Sequence, residues 1–141
     1  MQTRTPDVAI YRILDANLNR LREALRVLEE YFRFLALNPA RAIRLKKLRH
    51  DLLSIETALG RTNLLTSRHT SSDPFSKTVR AEELARASIR DLLAANLRRG
   101  QEAARCIEEY AKLLKNPDVF CIEQAKRVRF ALYALEQKLL T

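Results

Sequence analysis

The chain repeats itself. Residues 13–35 read ILDANLNRLREALRVLEEYFRFL, and residues 92–114 read LLAANLRRGQEAARCIEEYAKLL, 79 positions later. The identical pairs include Ala16/Ala95, Asn17/Asn96, Arg20/Arg99, Glu23/Glu102, Ala24/Ala103, Glu29/Glu108, Glu30/Glu109 and Tyr31/Tyr110. Packing two similar helices requires only their apolar positions to recur. Here Asn, Arg and Glu recur in register as well, so the repeat bears on the site as much as on the fold.

Within each repeat the apolar residues fall at helical spacing. Leu14, Leu18, Leu21, Leu25, Leu28, Phe32 and Leu35 form one stripe, which predicts a helix from about Pro6 to Phe34. Asn38-Pro39 has the form of an N-cap and first-turn residue for a second helix that Gly60 ends. The second copy opens on Ser88-Ile89-Arg90-Asp91, a capping-box pattern, and restarts at Asn116-Pro117 for a last helix ending near Leu140. With only two Gly and four Pro in 141 residues, strong helix formers dominate. The expectation is one all-α domain over residues 1–141: a helical bundle of two tandem-duplicated long αα-hairpins with pseudo-twofold symmetry. Repeat 1 covers about 6–60, a long central loop 60–80, and repeat 2 about 81–141.

The loop, GRTNLLTSRHTSSDPFSKTVR, lacks helical periodicity. Irregular segments longer than about 12–15 residues are usually functional or disordered. Arg68, Thr70, Asp73 and Phe75 give it the means to work on a ligand.

Asn17, Arg20 and Glu23 are spaced three apart and follow one side of the first helix; Asn96, Arg99 and Glu102 do the same in the second copy. If the two helices meet face to face, these side chains converge on a polar pocket at the bundle centre. Gly100 would allow close backbone approach there. The structural alternative is a buried Arg–Glu network that sets the register of the hairpins. Arg forks match phosphate, and Asp73 or Glu102 could hold Mg²⁺. Arg49 and Arg129 sit at equivalent places in the second helix of each repeat and join the candidate phosphate-binding set. Of Glu29-Glu30 and Glu108-Glu109, one Glu in each pair is expected to be solvated, and Tyr31 and Tyr110 are read as core.

The formal charge of +9 favours anionic partners, although a solvated cationic surface accounts for it equally well. Nucleic acid is a poor fit, since Arg alternates with Glu and no helix-turn-helix spacing occurs. Two glycines exclude a P-loop and a Rossmann fingerprint. No apolar run reaches membrane-spanning length, and Cys106 and Cys121 have no metal-ligand spacing, so a soluble protein in a reducing cytoplasm is expected.

Several strings carry a resemblance. They are Tyr11-Arg12-Ile13-Leu14-Asp15-Ala16-Asn17-Leu18-Asn19-Arg20, Leu48-Arg49-His50-Asp51-Leu52, the second Ala95-Asn96 with Gln101-Glu102-Ala103, and Arg129-Phe130 with Leu132-Tyr133-Ala134-Leu135-Glu136. Together they resemble a small helical family of hydroxymethylpyrimidine phosphate kinases of thiamin biosynthesis. Members occur alone or fused in front of thiamin-phosphate synthase. The resemblance implies ATP- and Mg²⁺-dependent phosphorylation of a small phosphorylated pyrimidine. The duplicated motif and the loop, rather than the family, supply the residue roles: Arg68, Asp73, Glu23 and Glu102 would serve catalysis. Asn17, Arg20, Arg49, Asn96, Arg99, Arg129 and Thr70 would hold phosphates, with Asp73 and Glu102 as metal ligands. The family's loop reads like Arg-Asp-Thr-x-x-Asp-Val-Gly-Thr. Arg68-His69-Thr70-Ser71-Ser72-Asp73-Pro74-Phe75-Ser76 keeps the Arg, the first Thr and the second Asp but lacks the first Asp and the Gly. The alternative is a non-catalytic phosphate-ligand-binding or regulatory partner domain of a thiamin-phosphate synthase.

Overall fold

The structure, a computed structural model, describes residues 6–141. Among them there are helices and turns but no strand, so the chain is all-α. Four long helices, α1 (Asp7–Glu30), α2 (Pro39–Leu59), α4 (Ile89–Ala111) and α5 (Val119–Leu140), carry the core, with a short α3 (Arg61–Thr66) between the halves. α1 packs most extensively on α4, then α4 on α5 and α1 on α2, while α2 and α5 touch more lightly. The centre is therefore α1 against α4, flanked by α2 and α5.

The apolar stripe does what its spacing requires: Leu14, Leu18, Leu21, Leu25, Leu28 and Phe32 are all buried. Leu35 is not, because the α-helix ends at Glu30 and a π-helical turn over Tyr31–Leu35 rotates the chain. That turn leads into Leu37, whose φ of 51° is unusual for a residue with a Cβ. α1 and α4 approach closely where side chains are small. A Cβ on Gly100 would stand 2.8 Å from Leu132 Cδ1 and 3.6 Å from Ala24 Cβ. Cys121 joins the hairpins, its thiol 3.8 Å from the Ile55 carbonyl, and burial pushes its pKa up to about 12. Both cysteines are free.

The caps follow the sequence at Asn38, which accepts from Arg41 N–H at 3.1 Å, and at Ser88, which accepts from Asp91 N–H at 3.1 Å. Two boundaries move. α5 starts at Val119, with Asp118 rather than Asn116 as its cap. The segment after Gly60 is not irregular from its start: Gly60, at φ 90°, reverses the chain directly into α3. Leu64 and Ser67 of that turn are buried, whereas every residue from 68 to 91 is exposed. The open segment thus lies later than the composition suggested, because Leu64 has core to bury against. No helix among the described residues is long and apolar enough to cross a membrane.

Candidate functional site

The duplicated polar residues separate into two groups. Glu29 and Glu108 are each 3% exposed, and each is clasped by an arginine from the other helix of its own hairpin. Arg49 Nε and Nη2 donate to Glu29 at 3.0 and 3.4 Å, and Arg129 Nε and Nη2 donate to Glu108 at 2.6 and 3.0 Å. The Glu108 hydrogen bond, with a second from Arg129 to the Tyr133 hydroxyl, holds the Arg129 guanidinium above its ordinary pKa. Their neighbours Glu30 and Glu109 face solvent more openly, as one Glu of each pair was expected to. Arg49 and Arg129, expected in the phosphate-binding set, are each paired here with a buried carboxylate of their own hairpin. Tyr31, half-buried, packs against the core as expected, whereas Tyr110 is exposed, which corrects its reading as core.

The second group does not converge on an enclosed centre. Asn17 is buried but turns back on its own helix, donating to the Ile13 carbonyl at 2.9 Å and accepting from Arg20 at 3.4 Å. Asn96 donates to the Leu92 carbonyl at 2.9 Å in the same way. Arg20, Glu23, Arg99 and Glu102 are all exposed. Glu23 and Arg99 meet across the α1–α4 seam at 3.9 Å, a solvated pair of little energetic weight. The meeting of α1 and α4 is too tight for a polar pocket, because Ala24, Gly100 and Leu21 fill it. Glu102 instead borders a shallow depression with Arg98, Gln101, Arg105, Cys106 and Tyr133.

A third set, whose polar residues are not duplicated, builds a cleft. Residues 68–74 fold back over the outer face of α1 and enclose about 460 Å³ with Arg12, Asp15, Ala16 and Asn19. Arg68 is the clasp: its Nε and Nη2 donate to Asp15 Oδ2 and Oδ1 at 2.6 and 3.0 Å. Asp15 is 7% exposed, and its hydrogen bonds hold the Arg68 guanidinium above its ordinary pKa. Arg12 fastens the same loop one residue earlier, Nε donating to the buried Ser67 carbonyl at 2.7 Å. Below the cleft, Arg22 bridges Asn19 and the buried Glu56, and Arg61 reaches Glu56 at 3.2 Å. Thr70 and Asp73 line the rim; Asp73 Oδ1 accepts from Phe75 N–H at 2.9 Å, and Phe75 lies exposed beyond it.

Arg12, Asp15, Asn19 and Arg22 fall outside what the repeats share. Their equivalents 79 positions on are Asp91, Ala94, Arg98 and Gln101. The signal was present in the differences between the copies. For Mg²⁺, no group of three or more His, Cys, Asp or Glu side chains comes together among the described residues. Asp73 and Glu102 border different depressions. The arrangement suits a cation carried in by a ligand's own phosphates and met by one carboxylate, Asp73, rather than a cage of protein ligands.

Comparison with known proteins places the chain. It is 40% identical over 131 residues to a thiamine-phosphate synthase of Nostoc punctiforme, covering 93% of this chain and 35% of that one. It is 42% identical over 140 residues to one of Synechocystis sp., covering 99% and 38%. A third, from Rhodopirellula baltica, is 39% identical over 130 residues, covering 92% and 34%. The chain thus spans a little over a third of the length of these relatives. No solved structure matches it. The ThiD2 family pattern matches residues 12–138, from the first arginine of the cleft almost to the end of α5, and the chain belongs to the ThiD2 family.

Proposed function

We propose that this chain phosphorylates hydroxymethylpyrimidine phosphate to the diphosphate in thiamin biosynthesis, with Mg·ATP as donor. The family and the synthase relatives tie it to thiamin biosynthesis. The observation that supports a kinase within that pathway is the α1–loop cleft. There a cationic loop residue, Arg68, is held at a defined place beside a free hydroxyl, Thr70, and a rim carboxylate, Asp73. Phosphoryl transfer asks a protein mainly for positioning and charge neutralisation, which such a cleft supplies without a P-loop. Asp73 would receive the metal that accompanies the nucleotide. Phe75, exposed in this state, would fold over the pyrimidine ring and exclude water. Arg20, Glu23 and Arg99 on the neighbouring seam would meet the second substrate.

A second reading has its own support. Because the relatives are nearly three times as long and are named for synthase activity, the chain could act as a phosphate-ligand-binding or regulatory partner of a thiamine-phosphate synthase. A coupled assay of ATP with hydroxymethylpyrimidine phosphate, following ADP release, separates the two. The kinase reading expects turnover that Asp73→Asn abolishes while binding persists. Pyrimidine phosphate binding with no ADP release under saturating Mg·ATP would leave the partner reading.

A further inference from the structure

Two arginines in the cleft are anchored and still keep N–H groups free. Arg12 grips Ser67 O through Nε at 2.7 Å, and Arg68 grips Asp15 through both Nε and Nη2, at 2.6 and 3.0 Å. Among the described residues neither terminal NH₂ of Arg12 makes a hydrogen bond, and Nη1 of Arg68 makes none. Arg12 thus keeps its whole outer fork and Arg68 one arm of it, and the Arg68 side chain, 42% exposed, stands more open than those of Arg49 and Arg129 at 19% and 11%. Both border one cleft with the Thr70 hydroxyl, which has no hydrogen-bond partner among the described residues. Among the described residues Arg12 has no carboxylate partner, and Arg68 is paired with Asp15.

We infer that Arg12 and Arg68 form a single phosphate-monoester subsite, with Asp15 as the positioning residue that aims Arg68. This rests on the kinase reading for the choice of ligand. It adds that the ligand's existing phosphate is gripped by one residue of the helix and one of the loop, and that only the first repeat does so. In the second repeat the place of Arg12 is taken by Asp91 and that of Asp15 by Ala94, and neither can contribute such a grip.

The pair is tested by titrating the ¹⁵N-arginine-labelled chain with inorganic phosphate and, separately, with hydroxymethylpyrimidine phosphate. The Nε–H resonances of Arg12 and Arg68 are followed, and thermal melts check folding. Both resonances should move together, to saturation, with either probe. Arg12→Lys and Arg68→Lys keep the charge but lose the anchored fork, and each should weaken pyrimidine phosphate about tenfold or more, the scale of a charged hydrogen bond. Arg98→Lys, on the matching face of α4, should change nothing. Asp15→Asn should weaken binding less than Arg68→Lys and broaden the Arg68 resonance, while leaving that of Arg12 in place. Resonances that stay still at saturating ligand overturn the inference without using any variant. So does equal loss in Arg98→Lys. Binding through the pair with no ADP release would retain the subsite and discard the kinase. Turnover with both resonances unmoved would do the reverse.

Discussion

In the first hairpin Arg49 closes on Glu29; in the second Arg129 closes on Glu108, with the same two guanidinium nitrogens and somewhat shorter contacts. On the outward side of α1 that likeness stops. There Arg12 and Asp15 hold a folded-back loop and Arg22 ties Asn19 to Glu56, while α4 offers Asp91, Ala94, Arg98 and Gln101. The contrast separates two uses of polar residues. Of those shared by both copies, Glu29 and Glu108 lie at helix contacts and Asn17 and Asn96 turn back on their own backbone, while Arg20, Glu23, Arg99 and Glu102 stay exposed. Those found in one copy converge on a cleft. The shared inner clasps serve the frame, and the grip on the pyrimidine phosphate is proposed to lie where the two copies differ.

Deleting an inner clasp should have the largest effect and should be alike in both halves. Arg49→Ala and Arg129→Ala each leave a buried carboxylate without its partner, so each should lower stability by about 3–5 kcal/mol in urea unfolding. If one costs much and the other nothing, the hairpins are not equivalent inside. The raised pKa of Arg129 adds a sign. A cation favoured by folding contributes stability below its ordinary pKa and loses it only as pH rises through the higher folded value. This clasp therefore holds throughout the neutral and mildly alkaline range.

A smaller effect should come from the hinge that only the first hairpin has. Gly60→Ala places a Cβ at φ 90° and 2.7 Å from Asn63 Nδ2. It should cost about 1 kcal/mol or more of stability and loosen α3, and with it the loop anchorage at Ser67. Trypsin cleavage reports this. In the wild type Lys77, Arg80 and Arg86 should be cut before Arg68, which is held by Asp15. In the variant Arg68 should become an early site.

Smallest of all is the seam. Glu23→Gln or Arg99→Gln removes one exposed contact at 3.9 Å and should change stability by less than about 0.5 kcal/mol. If either melts the protein, the seam is structural after all, and the proposed second-substrate role of these residues falls.

Much of the fold was legible in the sequence because periodicity is a local signal. The Leu14–Leu28 stripe, the Asn38 and Ser88 caps and the Gly60 stop each depend on a few neighbouring residues. The site was less legible. The spacing of Asn17, Arg20 and Glu23 correctly put them on one side of a helix, but the closeness of that helix to α4 depends on Ala24 and Gly100, and it left no room for a pocket. Arg68, Thr70 and Asp73 stood out as loop chemistry. Their cleft partners Arg12 and Asp15 did not, because a contact spanning 53 residues leaves no mark on local spacing.

The grip on the pyrimidine phosphate is proposed to belong to the first repeat and its loop, and not to both repeats. The most direct test is the binding stoichiometry of hydroxymethylpyrimidine phosphate by calorimetry, for the wild type and for Arg68→Lys. The account predicts one site per chain in the wild type, weakened about tenfold or more in the variant, with the melting curve little changed. Two equal sites per chain, or one site that Arg68→Lys leaves untouched, would contradict it.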